Sequence, residues 1–203
     1  MKLYTSPGAC STADHIVLEW IGKPYTFEIV TREQRATPEF KKLNPAGAVP
    51  VLDDGGWILT QNAAIMNYLA DLHPESGLGG DGTPKSRAEF NRWLSFVNAD
   101  VHPAFHPLFG STAYLDDAAA IEKTKENSRA KLRGYFERAN AQLQGRDWIT
   151  GNRSVADAYW YITLRWAGAT GVDLSGLDNL KAFAARMEAD ASVQKVLKDE
   201  GLA

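Results

Sequence analysis

The fold of the first part of the chain follows from residues 2–30, which read KLYTSPGACSTADHIVLEWIGKPYTFEIV. The short apolar stretches 2–4 and 26–30 predict strands. Between them, apolar residues recur at the spacing of a helix, which the run Gly22-Lys23-Pro24 ends. A strand, a crossover helix and a second strand form a β-α-β unit, so we expect these two strands to run parallel.

The next segment predicts a hairpin and a helix. Residues 49–52 and 57–59 read as strands on either side of Asp53-Asp54-Gly55-Gly56, whose residue types fit a tight turn. A short helical link precedes the hairpin, and a helix follows from about Gln61. We therefore expect an α/β domain over residues 1–74 with the element order βαβ-α-ββα.

Downstream, the hydrophobic period indicates helices only. The glycine-rich stretch 75–84 predicts a linker, and residues 85–203 predict an all-α helical bundle. One long helix is expected through 90–101 and a second over 116–144. A third is expected behind Ser154-Val155-Ala156-Asp157, which has the spacing of a capping box, and two shorter ones over 180–189 and 192–200.

Composition excludes several function classes. The chain has 203 residues, 44% of them hydrophobic, which is enough to bury a core, and a net charge of −3, which offers no basic footprint for nucleic acid. No apolar run predicts a membrane span or a signal peptide. The single cysteine excludes an internal disulfide and a thiolate zinc cluster, so we expect no metal. An unpaired thiol also favours the cytoplasm.

That cysteine, Cys10, precedes the first predicted helix in Ser6-Pro7-Gly8-Ala9-Cys10-Ser11. Unpaired N–H groups and the positive end of the helix dipole favour the thiolate at such a position. Free cysteines are also commonly buried and inert. From position alone, a reactive thiol and a packing residue are therefore equally supported.

Two further motifs have both a binding and a structural interpretation. A cis Val49-Pro50 bond would turn the peptide out of the sheet and leave the N–H and carbonyl of Val49 free to pair with an extended peptide; an ordinary trans proline at a strand start is the alternative. Gln61-Asn62, at the start of a helix, form either a receptor for a carboxylate or a plain N-cap.

Together these motifs carry a family resemblance. The segments 7–11, 44–50 (NPAGAVP), 60–62 (TQN), 68–71 (YLAD) and 154–159 (SVADAY), with the closing 200–202, resemble a bacterial beta-class glutathione transferase. The resemblance runs nearly end to end. It implies a thioredoxin-like N-terminal domain, an all-helical C-terminal domain and a homodimer that binds glutathione, its co-substrate, at the domain boundary.

The resemblance also implies residue roles. Catalytic positions would be Cys10, beside the glutathione sulfur, together with Ser11 and His102. The glutathione site would comprise Ala9, Cys10, Ala48, Val49, a cis Pro50, Gln61 and Asn62, with Arg32 or Arg35 near the glycyl carboxylate. Ser154 and Asp157 would be structural, capping a buried helix.

The second substrate would be a small hydrophobic electrophile. Phe105, His106 and Phe109, next to His102, could line its pocket, although aromatic residues at helical spacing are more often core. Two departures from the family pattern stand in the site: Gln61 replaces a common glutamate, and Pro103 replaces a lysine.

The function that the sequence predicts is conjugation of glutathione to electrophiles, with thiol-disulfide exchange or peroxide reduction through Cys10 as a side activity. Either Cys10 or the Ser11 hydroxyl would activate the thiol. The alternatives are a non-catalytic glutathione- or ligand-binding protein on the same fold and a protein-interaction module that binds no glutathione.

Overall fold

The N-terminal half is a four-stranded mixed sheet with helices. The computed structural model describes residues 1–203. Its first elements are β1 (Lys2–Thr5), α1 (Ser11–Ile21), β2 (Thr26–Ile29), α2 (Arg32–Ala36), α3 (Pro38–Leu43), β3 (Val51–Asp54), β4 (Trp57–Thr60) and α4 (Asn62–Leu72). The strand order is β2-β1-β3-β4, with β1 and β2 parallel and the other two pairs antiparallel. The predicted β-α-β unit and hairpin are therefore confirmed.

The link between β2 and β3 contains two short helices rather than one. Thr31 caps α2 in a capping box with Gln34, and Thr37 caps α3 through the N–H of Phe40. Pro38 follows Thr37 and disfavours helical backbone at the residue before it, so α2 ends and α3 begins at this point.

The C-terminal half is helical throughout. Its elements are α5 (Pro84–Phe96), α6 (His102–Ala104), α7 (Ala118–Gln142), α8 (Val155–Thr170), α9 (Asp178–Ala189) and α10 (Ala191–Asp199). A 3-10 turn over Pro74–Ser76 follows α4. None of the helices is long and apolar enough to span a membrane.

The long helix predicted through 90–101 is present, but it is not α-helical throughout. The α-helix ends at Phe96, and a π-helical turn over Val97–Val101 leads into α6. The cause lies two residues beyond that turn, at Pro103, which has no N–H to donate and whose ring clashes with the carbonyl four residues earlier. A wider turn before the proline relieves that clash and presents His102 at a new angle.

Ser154 and Asp157 start α8, the most buried helix of the protein. The Asp157 carboxylate accepts from the N–H of Ser154 and from the N–H of Ile149, both at 2.8 Å, and from the Ser154 hydroxyl at 2.9 Å. These bonds satisfy N–H groups that would otherwise be buried without partners.

One hydrophobic core joins both halves. It contains 41 buried residues drawn from α1, α4 and β1 as well as from the C-terminal helices. Helix α8 packs against α1, and the Trp166 indole N–H donates to the Gly8 carbonyl at 2.7 Å. Contacts with the C-terminal helices therefore hold the loop that carries Cys10 in place.

The C-terminal segment also contacts that loop. Glu200 is buried and accepts from the hydroxyls of Thr5 (3.0 Å) and Thr12 (2.6 Å) and from the Gly8 N–H (3.4 Å); its other partner is His15 Nδ1 at 3.0 Å. A carboxyl in this position ties the chain end to the first strand and the first helix.

Candidate active site

A cavity of about 230 Å³ opens where the N-termini of α1 and α4, the segment before β3 and the 98–106 region face one another. It is lined by Cys10, Asn44, Ala46, Ala48, Val49, Pro50, Gln61, Asn62, Asn98, His102, Pro103, His106 and Tyr159. The structure thus brings together, in one cavity, most of the site residues that the sequence singled out.

An unpaired peptide edge forms one wall of the cavity. The Val49-Pro50 peptide bond is cis. Neither the N–H nor the carbonyl of Val49 forms a backbone hydrogen bond within the protein. Asn44 holds the preceding loop, since its amide donates to the Ala48 carbonyl at 2.7 Å and its side-chain oxygen accepts from the Ala46 N–H at 3.1 Å. The free Val49 edge can pair with an extended peptide.

The Cys10 thiol faces this edge. It occupies the N-cap position of α1, is partly exposed, and its Sγ lies 3.7 Å from the Val49 carbonyl oxygen. The pKa of the Cys10 thiol is raised to about 12, mainly by burial of the sulfur and to a smaller extent by the Asp14 carboxyl, while the N–H groups of Ser11 and Cys10 lower it. The N–H groups at the helix start therefore favour the thiolate as expected, but desolvation outweighs them.

Ser11 does not face the cavity. Its side chain is fully buried, and its hydroxyl lies 2.8 Å from the Thr5 hydroxyl oxygen, to which it donates because the Thr5 proton goes to Glu200; the Ser11 oxygen accepts from the Ser6 N–H at 3.2 Å. Side chains in a helix point back toward its N-terminus, and here that direction leads under the loop instead of into the cavity. The structure contradicts the alternative in which the Ser11 hydroxyl activates the thiol.

Gln61 and Asn62 point in different directions. Gln61 has a φ of 77°, its side chain is exposed, and it makes no capping hydrogen bond, so the plain N-cap interpretation is wrong. A non-glycine residue with positive φ is strained, and such residues cluster at binding sites. Asn62 is buried; with its amide nitrogen toward α1, it donates to the Asp14 carboxyl and to the Cys10 carbonyl, the latter at 3.2 Å.

His102 enters the cavity from the helical half. Its Nδ1 lies 2.5 Å from the Tyr159 hydroxyl, and its ring meets His106 edge to face at 5.6 Å. Burial lowers the pKa of His102 to about 4, with a smaller contribution from His106. His102 is therefore a neutral imidazole at pH 7 and supplies no positive charge to the cavity.

The predicted aromatic pocket is only partly present. Of the three candidates, His106 lines the cavity. Phe105 is fully buried and contacts Phe136 and Trp166, so it belongs to the core. Phe109 stacks on Phe105 and is 51% exposed, outside the cavity. The core interpretation is therefore confirmed for Phe105, which packs among buried aromatic side chains.

A second, basic cavity of about 300 Å³ adjoins the first through Ala46. Arg32, Arg35 and Lys41 line it. The Arg35 Nε is buried without a hydrogen-bond partner, and the Arg35 charge also lowers the pKa of Cys10. Arg32 is exposed. Ala9 lines neither cavity and packs against the small cluster of Val30, Phe40, Val49 and Val51.

Comparison with known proteins identifies the family. Residues 3–77 match the glutathione S-transferase N-terminal domain, and residues 89–191 match the glutathione S-transferase C-terminal domain. The chain belongs to the glutathione S-transferase family. The glutathione S-transferase GST-4.5 of Xanthomonas campestris pv. campestris is 58% identical over 203 residues, which is all of both chains. This chain is accordingly an enzyme.

Solved structures agree. The transferase from Xylella fastidiosa has a TM-score of 0.97 and 53% identity, covering 100% of this chain and 99% of that one. A sphingomonad transferase complexed with glutathione has a TM-score of 0.87 at 36% identity over all of both chains. The beta-class enzyme of Sphingomonas chungbukensis has a TM-score of 0.88 at 34% identity, also over all of both. The predicted membership of the bacterial beta class is confirmed.

Sequence reasoning assigned no role to several residues of the site: Asp14, Asn44, Ala46, Asn98 and Tyr159. Asn44 and Ala46 lie within the NPAGAVP segment, whose Asx-type loop residue was the available signal. Tyr159 follows the capping box by two residues. Asp14 gave no signal, because a carboxyl in the first turn of a helix is ordinary on the surface.

Proposed function

We propose that this enzyme conjugates glutathione to small electrophilic compounds, with glutathione bound in the cavity between Cys10, Val49 and Gln61. One observation carries the proposal: Val49, whose N–H and carbonyl have no backbone partner, and the Cys10 sulfur share one wall of one cavity. A peptide that carries its own thiol fits such a wall, because its backbone pairs with Val49 while its sulfur reaches the start of α1.

In this arrangement, the γ-glutamyl end and the glycyl end of glutathione contact different parts of the site. At one end, the exposed Gln61 side chain and the free N–H groups at the start of α4 receive the γ-glutamyl group. At the other end, the basic cavity receives the glycyl carboxylate, and we assign its main contact to Arg35, because the Nε of that side chain is buried without a partner.

Conjugation requires the glutathione thiolate. The N–H groups of Cys10 and Ser11, which already act on the Cys10 sulfur, can donate to a second sulfur placed beside it. The thiolate attacks an electrophilic carbon, a sulfur–carbon bond forms, the leaving group departs with its electron pair, and the thiol proton passes to solvent. Orientation of the two reactants accounts for the remaining acceleration.

Thiol-disulfide exchange through Cys10 is the proposed side activity. The Cys10 thiolate attacks one sulfur of glutathione disulfide, forms a mixed disulfide and releases one glutathione thiolate. With a substrate disulfide, Cys10 likewise takes one half into a mixed disulfide and releases the other half as a thiolate. A glutathione thiolate then attacks the substrate sulfur and frees the Cys10 thiolate, and a second glutathione releases the substrate thiolate as glutathione disulfide forms. Because the Cys10 thiol is protonated at neutral pH, we expect exchange to be slower than conjugation.

The electrophile would contact the helical side of the cavity. His102, Pro103 and His106 form that wall, and neither Phe105 nor Phe109 contributes to it. The neutral His102 ring, Pro103 and the Tyr159 hydroxyl favour a small, mostly apolar compound with a hydrogen-bonding group.

We further propose a homodimer in the cytoplasm. Trp57 on β4 is 52% exposed and meets Tyr68 of α4 edge to face, with 5.1 Å between ring centroids; Leu72 on α4 is also exposed. Apolar groups exposed in this way favour a covered face. The cytoplasm keeps an unpaired cysteine such as Cys10 reduced.

Three measurements on one preparation test the function. Titration calorimetry with glutathione should show binding, turnover should follow with an aryl halide or an unsaturated aldehyde, and intact mass after treatment with glutathione disulfide should show one added glutathione. Cys10→Ala should abolish the mass increase while leaving glutathione binding in place. Binding without turnover on any electrophile would favour the ligand carrier; no binding would favour an interaction module and reject the proposal.

A further inference from the structure

Asp14 is a buried carboxyl that the proposed reaction does not use. It lies in α1, one turn after Cys10, and none of its surface is exposed. Its Oδ1 has no hydrogen-bond partner. A buried polar atom without a partner costs free energy, so a neutral or apolar side chain would be the more stable choice for packing alone.

The other carboxyl oxygen of Asp14 takes part in a connected set of polar groups. It accepts from the Asn62 amide, which also donates to the Cys10 carbonyl at 3.2 Å. The Asn62 side chain contacts the Tyr159 hydroxyl, and that hydroxyl contacts His102 Nδ1 at 2.5 Å. Asp14 therefore connects the start of α1, the start of α4 and the histidine of the cavity.

We propose that Asp14 is a positioning residue for the thiol chemistry: its carboxyl holds Asn62 and, through Asn62, the Cys10 turn, and its negative charge, when present, opposes thiolate formation at Cys10. The relevance of this inference to catalysis rests on the proposed function, whereas the contacts behind it are between protein groups only.

The charged groups around Asp14 determine how ionisation of Asp14 and ionisation of the Cys10 thiol affect each other. Burial raises the pKa of Asp14 well above its ordinary value, and Glu200, next to α1, raises it further. Asp14 in turn raises the pKa of the Cys10 thiol and of the Tyr159 hydroxyl on α8. The positive charge of Arg35 on α2 lowers the pKa of the thiol.

Two like charges this close, in a desolvated site, titrate as a pair, so ionisation of one disfavours ionisation of the other. A negative charge on Asp14 therefore disfavours the Cys10 thiolate. Removing the Asp14 charge should let the thiolate form at lower pH, while an amide in its place can still accept from Asn62.

The test is the pH profile of Cys10 alkylation by iodoacetamide, followed by intact mass on the full-length protein. The thiolate displaces iodide and forms a sulfur–carbon bond, so the rate reports the thiolate fraction. We expect D14N to move the midpoint to lower pH by about 1 unit, which is roughly a tenfold higher rate at a given pH on the rising part of the profile. Asp14→Ser serves the same purpose if D14N does not fold.

The matched control is Asp157→Asn, which alters another fully buried carboxyl at the start of a helix but one that does not act on the thiol. Its midpoint should equal that of the wild type. A folded D14N with an unchanged midpoint, or an equal shift in D157N, would overturn the proposal. Because alkylation needs no glutathione, loss of glutathione binding alone would reject the proposed function and leave this result standing.

Discussion

Arg35→Ala should weaken glutathione binding without slowing the bound complex. The Nε of Arg35 is buried and has no partner within the protein, so this part of the guanidinium is already desolvated before a carboxylate arrives. A hydrogen bond to a charged group contributes about 1.5–3 kcal/mol. For this half-buried side chain we take about 2 kcal/mol, which corresponds to a roughly 30-fold rise in the KM for glutathione.

The assay is steady-state conjugation with glutathione varied at a saturating electrophile. Because the glycyl carboxylate lies far from the reacting sulfur, its contact should bind ground state and transition state equally, and kcat should stay within about 2-fold of the wild type. Added salt should raise the wild-type KM and affect Arg35→Ala less, since the attraction between two charges is screened.

Arg32→Ala is the matched control. Arg32 lines the same basic cavity, but its side chain is exposed, so we expect a change in KM of less than about 3-fold. An equal or larger effect of Arg32→Ala would refute the assignment of the carboxylate to Arg35. A fall in kcat at unchanged KM would refute the idea that Arg35 acts on binding at all.

Three further predictions concern buried polar groups. Asp157→Ala should lower the free energy of unfolding by about 3 kcal/mol in urea melts, because two N–H groups lose their acceptor, and the KM for glutathione should not change; a loss under about 1 kcal/mol would contradict this role. The His102 ring should titrate by NMR near pH 4, below its usual pKa of 6.5. Because protonation is disfavoured in the folded state, the free energy of unfolding should fall as the pH drops from 6.5 to 4, and His102→Asn should reduce this dependence on pH. A midpoint near 6.5 would show that the ring is solvated. Glu200→Ala should destabilise by about 3 kcal/mol, because it leaves buried hydroxyls unpaired, and an unchanged melt would exclude Glu200 as the anchor of the chain end.

The sequence predicted the sheet well because its information is local. Alternating apolar runs, the Gly22 stop and the Asp-Gly turn each act within a few residues, and β1, β2 and the hairpin formed where these signals lay. The capping box of Ser154 and Asp157 was readable for the same reason.

The sequence could not give the direction of side chains at the helix starts. Cys10 and Ser11 are neighbours with the same helix-start signals, yet one sulfur lines the cavity and one hydroxyl is buried beneath it. The ionisation of Cys10 depends on burial and on Asp14, and both depend on packing across α4 and α8. Tertiary contacts of this kind leave no periodic pattern in the chain.

The wall of the proposed electrophile site was predicted only in part: His102 and His106 line the cavity, whereas Phe105 and Phe109 do not. A regular helix through 90–101 would continue the aromatic stripe, whereas the π turn before Pro103 shifts the register. His102 and His106 then face the cavity, and Phe105 turns into the core. Pro103 is plain in the sequence, but the sequence does not indicate that the helix accommodates it with a π-helical turn.

A crystal structure of the enzyme with saturating glutathione tests the central claim most directly. We expect the cysteinyl backbone of glutathione paired with the N–H and carbonyl of Val49, and its sulfur within contact of the Cys10 thiol at the start of α1. Glutathione bound elsewhere, or an empty groove at saturating concentration, would contradict the account.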